Sequence, residues 1–247
     1  MNAGVQPSSQ AAVDAPYLLR TDRDGVVTLT FNRGDRFNPL SSAMLAALQS
    51  ELDAIACDSA ARVVVLTGAG RGFCGGHDLK EMRAHGSDLS WQRNLFESCS
   101  KMMLSIINLP QPVIAKVHGV AAAAGCQLVS MCDLAIATED AKFALPGVNN
   151  GIFCSTPGVG VGRNMLRKQT MEMLLTGEQI DGTTAAVRGL VNRAVPAAAL
   201  DAEVARLAAT ICARSGAVIA AGKKAFYRQL DLSIEEAYAL ATDTMVC

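Results

Sequence analysis

The 247-residue sequence predicts an α/β protein with a helical C-terminal part. Its hydrophobic pattern switches repeatedly between short apolar runs typical of strands and amphipathic runs typical of helices. From about Leu166 onward the pattern is nearly all helical. Hydrophobic residues make up 50% of the chain and charged residues 18%, which suffices for one large domain, or a domain with an appendage. With aromatic residues at only 4%, this core has to consist mainly of aliphatic side chains.

The first half of the chain carries clear local signals. The segment YLLRTDRDGVVTLTFNR places two apolar runs on either side of Asp24 and Gly25, which predicts a β-hairpin. The segment SSAMLAALQSELDAIACD begins with serine and has apolar residues at helical spacing, so we expect a helix. RVVVLTG predicts a buried strand, and the loop AGRGFCGGHDLKEM follows it.

The second half repeats the alternation. WQRNLFESCSKMMLSIIN predicts a helix that ends at Pro110, and PVIAKVHGV and DLAIATED predict strands with the helix AAGCQLVSM between them. The helical part is interrupted at TGEQIDG and VNRAVP. We therefore divide the chain into a mobile N-terminal arm (1–16), an α/β core (17–190) and a helical C-terminal region (191–247).

Composition argues against several classes of function. A net charge of −1 gives no basic field for nucleic acid and no strong attraction to a membrane, and no window reaches transmembrane length. The eight cysteines and three histidines lack metal-ligand spacing, so we predict no metal site and reduced, buried thiols. The first residues lack a basic start followed by an apolar run, from which we predict a cytoplasmic location.

Two glycine-rich loops, GAGRGFCGG and GVGVGRNML, do not match the spacing of nucleotide-binding loops. The segments FCGGHDLKEM and AAAAGCQL indicate a different role for such loops. In each of them a glycine turn or a run of alanines directly precedes the start of a helix. Backbone N–H groups at the start of each helix, near His77 and Gly125, are free to point at an acceptor. Two such sources of N–H groups predict an oxyanion hole.

Three ordered blocks then carry a resemblance that runs from about Tyr17 to the C-terminus. They are LTFNRGDRFNPLS, RGFCGGHDLKEM and KVHGVAAAAGCQLVSMCDLAIATEDAKFALPGV, and they resemble the crotonase superfamily of enoyl-CoA hydratases and isomerases. The segments GHDLKE, AAGCQL, FCSTPGV and GKKAFYRQL are similar to one subfamily in particular. The resemblance implies a crotonase-like ββα superhelix, a helical C-terminal trimerisation region, and a homotrimer or dimer of trimers.

The resemblance also implies an acyl-CoA ligand, as substrate or bound molecule, and no other cofactor. It assigns the oxyanion N–H groups to His77 and Ala124, which would hold the thioester oxygen. Arg36 and Lys80 become phosphate partners, although ordinary solvated surface charge explains them equally well. The residues that the resemblance places beside coenzyme A are Asp35, Arg36, Phe37, Gly75, Asp78, Leu79 and Lys80.

The departures from the family pattern concern catalysis. The hydratases of this superfamily use two glutamates to hold and activate water, and the matching positions here are Gln127 and Gly147. Glutamine can hydrogen-bond water but cannot take its proton, and glycine can do neither. Cys154 and Ser155 are potential nucleophiles, but no histidine base stands near them in the sequence, so a buried cysteine is the better interpretation.

The three histidines offer no obvious replacement for the glutamates. We expect His77 to act through its backbone, with its side chain turned to solvent or into a turn. His118 is predicted to lie in the core, and His85 on a surface loop.

Two functions therefore stay open. One is an enoyl-CoA hydratase, a lyase of fatty acid metabolism, with weak or absent hydration. The other is an acyl-CoA-binding protein without catalysis. Because the chain stops at Cys247, before the last helix usual in the superfamily, we expect a less enclosed site or one covered by a neighbouring subunit.

Overall fold

The structure, a computed structural model, describes residues 15–246. The predicted mobile arm, residues 1–16, lies outside the described residues except for its last two positions. Within the described range the strands are β1 (Leu18–Arg23), β2 (Val26–Phe31), β3 (Val63–Gly68), β4 (Val113–Val117), β5 (Val120–Ala122), β6 (Leu134–Thr138), β7 (Lys142–Ala144), β8 (Ile180–Asp181) and β9 (Arg193–Val195).

The helices in the same range include two long ones, α1 and α3, in the first half of the chain. In chain order they are α1 (Ser42–Ala56), α2 (Leu79–Ala84), α3 (Leu89–Asn108), α4 (Ala124–Met131), α5 (Ser155–Asn164), α6 (Arg167–Thr176), α7 (Gly182–Val187), α8 (Leu200–Cys212), α9 (Gly216–Gln229) and α10 (Ile234–Val246).

The strands form two sheets. The larger sheet has the order β1-β2-β3-β4-β6-β9, in which β1 and β2 are antiparallel and the other neighbours are parallel. The smaller sheet has the order β5-β7-β8. Parallel neighbours require crossover connections, and helices α1, α3 and α4 lie in the segments that connect them. The predicted α/β fold with a helical C-terminal part is confirmed.

The local signals of the first half act as predicted. Asp24 and Gly25 have φ values of +52° and +80°, the left-handed conformations that a two-residue hairpin turn needs. In β2 every second side chain is buried, which matches a strand with one face on the core. Ser41 caps α1 by accepting a hydrogen bond from the Met44 N–H at 3.2 Å, so the predicted helix starts where its serine stands.

One predicted strand, PVIAKVHGV, is in fact two strands in different sheets. The chain turns at Gly119, where φ is +59° and a Cβ atom would lie 2.1 Å from the Arg71 carbonyl oxygen. His118 lies half-buried in this turn, with its Nε2 3.0 Å from the Gly70 carbonyl oxygen, so its predicted place in the core was wrong. The turn matters for the site because it carries β5 away from the large sheet and toward α4.

The core has a layer on each face of the large sheet. The larger cluster fills the space between the sheet and helices α1, α3 and α4. On the opposite face, Val63, Val65, Ile114 and Ile136 pack with Leu200, Val204 and Ala208 of α8. The region 191–247 also supplies β9, which pairs with β6 at the sheet edge. A strand of three residues is too short to show a hydrophobic period, which is why the sequence pattern does not reveal it.

Helix α9 is fastened to the core by a buried ion pair. The Lys223 Nζ lies 2.6 Å from Asp133 Oδ2 and also donates to the carbonyl oxygens of Ile106 and Gln111, at 2.9 and 3.1 Å. Asp133 further accepts the Tyr227 hydroxyl at 2.9 Å. Because every charged atom has partners, the pair holds the C-terminal helices in one place on the core.

In the range 15–246, no single helix is long and apolar enough to cross a membrane. One pair of helical segments, 197–212 and 216–229, satisfies length and composition only when the two are taken together, and it bends by 102° at its junction.

Candidate functional site

The first source of N–H groups is the loop that joins β3 to α2. Its Cys74 is bound to β5, since the Cys74 N–H donates to the Val120 carbonyl at 3.0 Å and the Ala122 N–H donates to the Cys74 carbonyl at 2.9 Å. Two backbone hydrogen bonds therefore fix the loop against β5 only three residues before His77.

The second source is the first turn of α4. Ala123 has φ +49° and ψ −117°, a conformation rare outside glycine, and its N–H donates to the Ala144 carbonyl at 2.9 Å. A Cβ atom on Gly125 would lie 2.1 Å from the Cys74 carbonyl oxygen. Only glycine allows this approach, and α4 therefore begins directly against the first loop, with Ala124 as its first residue.

The structure brings His77 and Ala124 together. Gly76 has φ +98°, and a Cβ atom on it would lie 3.0 Å from the Ala123 Cβ and 3.4 Å from the Ala124 nitrogen. Among the described residues, the N–H groups of His77 and Ala124 donate no hydrogen bond. The loop before His77 thus contacts the start of α4, and two unpaired N–H groups on such adjoining segments are the donors that an oxyanion hole requires.

The loop that contains Asp35, Arg36 and Phe37 lies beside the first N–H source. Phe37 has φ +59°, and its carbonyl accepts the Gly75 N–H at 2.7 Å. The Arg71 guanidinium lies 4.9 Å from the centre of the Phe37 ring. Asp35 is exposed. Phe37 and Gly75 are thus in direct contact, whereas Asp35 lies on the outer side of the loop.

Of the two predicted phosphate partners, Arg36 is already engaged. Its Nη2 lies 2.7 Å from Asp78 Oδ2, and Asp78 also caps α2 by accepting the Lys80 N–H at 2.9 Å. The Arg36 side chain remains 47% exposed and so could still reach a ligand. Lys80 and Leu79 are exposed, and in the part of the chain that the structure describes Lys80 has no ion partner.

Asn38 is a residue that sequence reasoning missed. It is fully buried with φ +50°, and its Nδ2 lies 3.0, 2.9 and 3.2 Å from the carbonyl oxygens of Ala69, Gly72 and Phe73. Its Oδ1 accepts the Arg33 N–H at 2.8 Å. One side chain therefore ties the loop after β2 to the loop after β3. The usable signal was an asparagine in the turn segment NRGDRFNPLS, because asparagine tolerates the left-handed conformation better than most residues do.

Gln127 lies three residues after Ala124 in α4. The residue is 4% exposed, and its Oε1 is buried without a hydrogen-bond partner in the described structure. An unpartnered buried amide oxygen is costly, about 1–3 kcal/mol, unless a ligand or water supplies a donor. This residue therefore brings an acceptor to the site but no group that can carry a proton.

Gly147 leaves no room for a side chain. A Cβ atom on it would lie 2.3 Å from the Ile152 carbonyl oxygen and 2.8 Å from Cys154 Sγ. The Gly147 N–H donates to that sulfur at 3.3 Å, and burial raises the pKa of the Cys154 thiol. Ser155 is exposed. Cys154 thus fills part of the space that a carboxylate at position 147 would need, and it does so as a protonated thiol.

The expected exposure of the His77 side chain was wrong. Its Nδ1 lies 3.2 Å from the Leu40 carbonyl oxygen, and its ring meets the Phe96 ring edge-on, with 5.4 Å between centroids. Burial lowers the pKa of the imidazole, while the hydrogen bond to Leu40 and the charge of Glu81 raise it less. The Nε2 atom is buried and has no partner among the described residues. The chain path around Leu40 and α3 creates this pocket, and no local sequence pattern reports it.

Comparison with known proteins agrees with the fold. The family model described as enoyl-CoA hydratase/isomerase matches residues 21–246. The chain therefore belongs to the enoyl-CoA hydratase/isomerase family, the crotonase superfamily that the three sequence blocks resemble, and its α/β fold is the crotonase fold.

Within that family the chain is similar to enoyl-CoA hydratase domain-containing protein 3, the subfamily indicated by GHDLKE and the three other segments. The human protein of that name is 44% identical over 224 residues, which cover 90% of this chain and 73% of the human protein. The crystal structure of that human protein superposes with a TM-score of 0.90 at 41% identity, covering 93% of this chain and 90% of that one.

Two bacterial proteins extend the comparison. The crystal structure of an enoyl-CoA hydratase from Mycobacterium smegmatis has a TM-score of 0.93 at 53% identity and covers 94% of this chain and 91% of that one. The 2,3-dehydroadipyl-CoA hydratase of Escherichia coli is 31% identical over 226 residues, which are 90% of this chain and 86% of that protein.

These comparisons also contradict the predicted cytoplasmic location. Five vertebrate relatives, at 41% to 44% identity, are named mitochondrial proteins. The prediction depended on the residue pattern of the first 16 residues, and the names of these relatives overturn it.

Proposed function

We propose that the protein binds an acyl-CoA thioester and polarises its carbonyl group with the N–H groups of His77 and Ala124. The observation that supports this proposal is the contact of Gly76 with the start of α4, since His77 and Ala124, which adjoin that contact, both have N–H groups that donate no hydrogen bond among the described residues. The names of the relatives supply the ligand class, since the proteins from M. smegmatis and E. coli are both named as hydratases of CoA thioesters.

The chemical effect of such binding is to draw electrons toward the thioester oxygen. Negative charge that develops there as an enolate forms is stabilised by the two N–H groups and by the positive end of α4. Because both donors belong to the backbone and are fixed by neighbouring hydrogen bonds, little reorganisation is needed when the charge appears. The α proton of the ligand becomes more acidic, and in an unsaturated ligand the β carbon becomes electrophilic.

Hydration of an enoyl-CoA is expected to be weak. Adding water requires a group that takes a proton from water and a group that delivers one to the α carbon. Gln127 can do neither, and the backbone around Gly147 excludes a side chain. The close packing at Gly147 favours the second candidate function, an acyl-CoA-binding protein that does not hydrate its ligand.

For the CoA moiety we propose Lys80 and Arg36 as partners of the phosphates. Lys80 is exposed, and Arg36 can divide its guanidinium between Asp78 and a phosphate because it has several donors. We place Phe37, Gly75 and Leu79 at the same end of the site because Phe37 and Gly75 are in direct contact, whereas Asp35 lies on the outer side of its loop.

We further propose that the protein forms a homotrimer or a dimer of trimers through its C-terminal helices. Helices α9 and α10 expose large apolar side chains, among them Val218, Phe226, Leu230, Ile234 and Tyr238, which are 58% to 71% exposed. Apolar surface on two adjacent helices is typical of a subunit interface. Light scattering coupled to gel filtration would give the mass directly, and a monomer at micromolar concentration would contradict the proposal.

Calorimetry with butyryl-CoA and octanoyl-CoA tests the ligand, with free coenzyme A as the reference. We expect acyl-CoA to bind more tightly than coenzyme A, because only the thioester oxygen can use the two N–H groups. A dissociation constant of about 1 mM still corresponds to a binding free energy of ~4 kcal/mol. Absence of binding heat with acyl-CoA up to that concentration would therefore refute the ligand assignment.

A matched pair of glycine variants tests the oxyanion hole itself. In Gly76→Ala the new Cβ would press on the Ala122 carbonyl and the Ala123 Cβ, both at 3.0 Å, and so move the two donors apart. Gly189→Ala is the control, since φ is +85° there and the new Cβ would also lie 3.0 Å from a carbonyl oxygen, at a site remote from the hole. We expect Gly76→Ala alone to weaken the binding of butyryl-CoA by about fivefold or more, which corresponds to the loss of one hydrogen bond of ~1 kcal/mol.

A further inference from the structure

The imidazole of His77 has a defined tautomer. Its Nδ1 lies 3.2 Å from the Leu40 carbonyl oxygen, and a carbonyl oxygen can only accept. The proton of the neutral ring therefore sits on Nδ1, and Nε2 carries a lone pair. A backbone carbonyl that holds Nδ1–H in this way also fixes the direction in which the lone pair points.

That lone pair is buried without a partner. The Nε2 atom is buried, although the residue as a whole is only partly so, and it accepts no hydrogen bond in the range 15–246. Leaving such an acceptor unpaired costs about 1–3 kcal/mol, which is tolerated when a ligand completes the pairing or when the group takes part in chemistry. The Oε1 of Gln127, on the facing helix, is unpaired in the same way.

The groups around the ring leave it neutral. Phe96 of α3 contacts the ring edge, and the Leu40 carbonyl occupies Nδ1. Glu81 of α2 is the charged group that acts on the ring, and its Oε2 is itself engaged, accepting the Ser42 N–H at 2.9 Å. Burial lowers the pKa of the His77 imidazole, so the ring is unprotonated at neutral pH and Nε2 is available as a base.

The base and one oxyanion donor belong to one residue. A ligand whose thioester oxygen accepts the His77 N–H therefore lies next to the residue that carries the imidazole. The acyl carbon that becomes acidic on binding is the one bonded to that carbonyl. No other part of the described site combines a basic lone pair with this proximity, since Gln127 is not basic and the Cys154 thiol is protonated.

We propose that the imidazole of His77 is the proton acceptor of this site and removes a proton from the α carbon of a bound acyl-CoA. The C–H bond breaks, its electron pair moves into the enolate held by the His77 and Ala124 N–H groups, and Nε2 gains the proton. The imidazolium can exchange this proton with solvent, and return of a proton, or of a deuteron in D2O, to the α carbon restores both partners, so no co-reactant is consumed. The inference rests on the proposed binding of acyl-CoA.

Deuterium exchange measures this step directly. Butyryl-CoA is incubated with the protein in D2O, and deuterium at its α carbon is followed by mass spectrometry. The variant His77→Gln keeps the backbone N–H and places a neutral amide near the position of Nε2, so it carries no basic lone pair. His85→Gln is the matched control, because that ring stacks on Trp91 at 4.2 Å on a different loop.

We expect wild type and His85→Gln to exchange the α proton at the same rate. The exchange rate of His77→Gln should be lower by about 10²-fold or more, as is typical when a positioned base is removed. Affinity for butyryl-CoA, measured by calorimetry, should change little in His77→Gln. His77→Ala should regain exchange when free imidazole is added, a rescue that a purely structural role of the ring would not give.

The outcomes separate this inference from the proposed function. If butyryl-CoA binds and wild type shows no exchange, or if His77→Gln exchanges as fast as wild type, the role of the imidazole is refuted while acyl-CoA binding stands. If butyryl-CoA does not bind at all, the proposed function fails and the inference fails with it.

Discussion

Replacing Gln127 by glutamate is expected to raise the hydration of crotonyl-CoA, whereas adding a glutamate at Gly147 is not. Residue 127 is 4% exposed and its Oε1 lacks a partner, so a carboxylate of the same length fits and can accept a proton from water. One positioned base typically contributes ~10²–10⁴-fold, and we expect a gain of about 10²-fold from Gln127→Glu. Gln127→Met, of similar size but without an acid, should give no gain.

A glutamate at position 147 is not expected to raise hydration, and the reason is steric. In Gly147→Glu the new Cβ would lie 2.3 Å from the Ile152 carbonyl oxygen, and backbone cannot move aside as a side-chain tip can. Overpacking of this kind costs roughly 1–3 kcal/mol or more, which lowers Tm by at least a few degrees in a chain of this size. The double variant should therefore be less stable than Gln127→Glu and no faster.

The assay is the loss of crotonyl-CoA absorbance, with thermal unfolding followed in parallel. Wild-type turnover equal to that of a two-glutamate hydratase would refute the reasoning, because it would require a second acid or base that the structure does not provide. A double variant more than about tenfold faster than Gln127→Glu would refute the steric argument.

Three further predictions concern stability and charge. Lys223→Met should lower the free energy of unfolding in urea by about 3–5 kcal/mol, because it leaves the Asp133 carboxylate buried and unpaired. Combining Lys223→Met with Asp133→Leu should recover part of that loss. Equal stability of the single variant and wild type would contradict this. Asn38→Ala should lower the free energy of unfolding by about 2–4 kcal/mol, since three carbonyl groups and one N–H lose their partner, and a change below 1 kcal/mol would show that water replaces the amide. Lys80→Gln should weaken the binding of acyl-CoA and of free coenzyme A by the same factor and reduce the salt dependence of both. A loss of affinity confined to acyl-CoA would contradict the proposed contact of Lys80 with the phosphates.

How much of this fold the sequence predicts depends on where the determining contacts lie. The hairpin at Asp24 and Gly25 and the start of α1 at Ser41 are local, because the turn conformation and the helix cap depend on residues within four positions. The break between β4 and β5 is not local. It depends on the approach of Gly119 to the Arg71 carbonyl, which belongs to a loop almost fifty residues earlier, so the apolar run PVIAKVHGV predicts one strand instead of two.

The same distinction applies to the candidate site. Glycine and alanine runs at helix starts predict backbone donors near His77 and Gly125, because a helix always leaves its first N–H groups unpaired, and the resemblance assigns the second donor to Ala124. Whether two such sources meet depends on Gly76 and Gly125, whose missing Cβ atoms permit contacts that no spacing rule expresses. Asn38 escapes prediction for a related reason, since its three acceptors lie thirty-one to thirty-five residues away in sequence.

The His77 side chain shows why a site cannot be judged by its matched positions alone. Position by position, the resemblance assigns Gln127 and Gly147 to the two glutamate positions and gives His77 a role through its backbone N–H. In three dimensions the imidazole is pinned by Leu40 and packed on Phe96, and its free nitrogen is turned away from solvent. Burial lowers the pKa of this imidazole below its ordinary value. Under the proposed function, a site with Gln127 and Gly147 at the two glutamate positions can therefore still move a proton through His77.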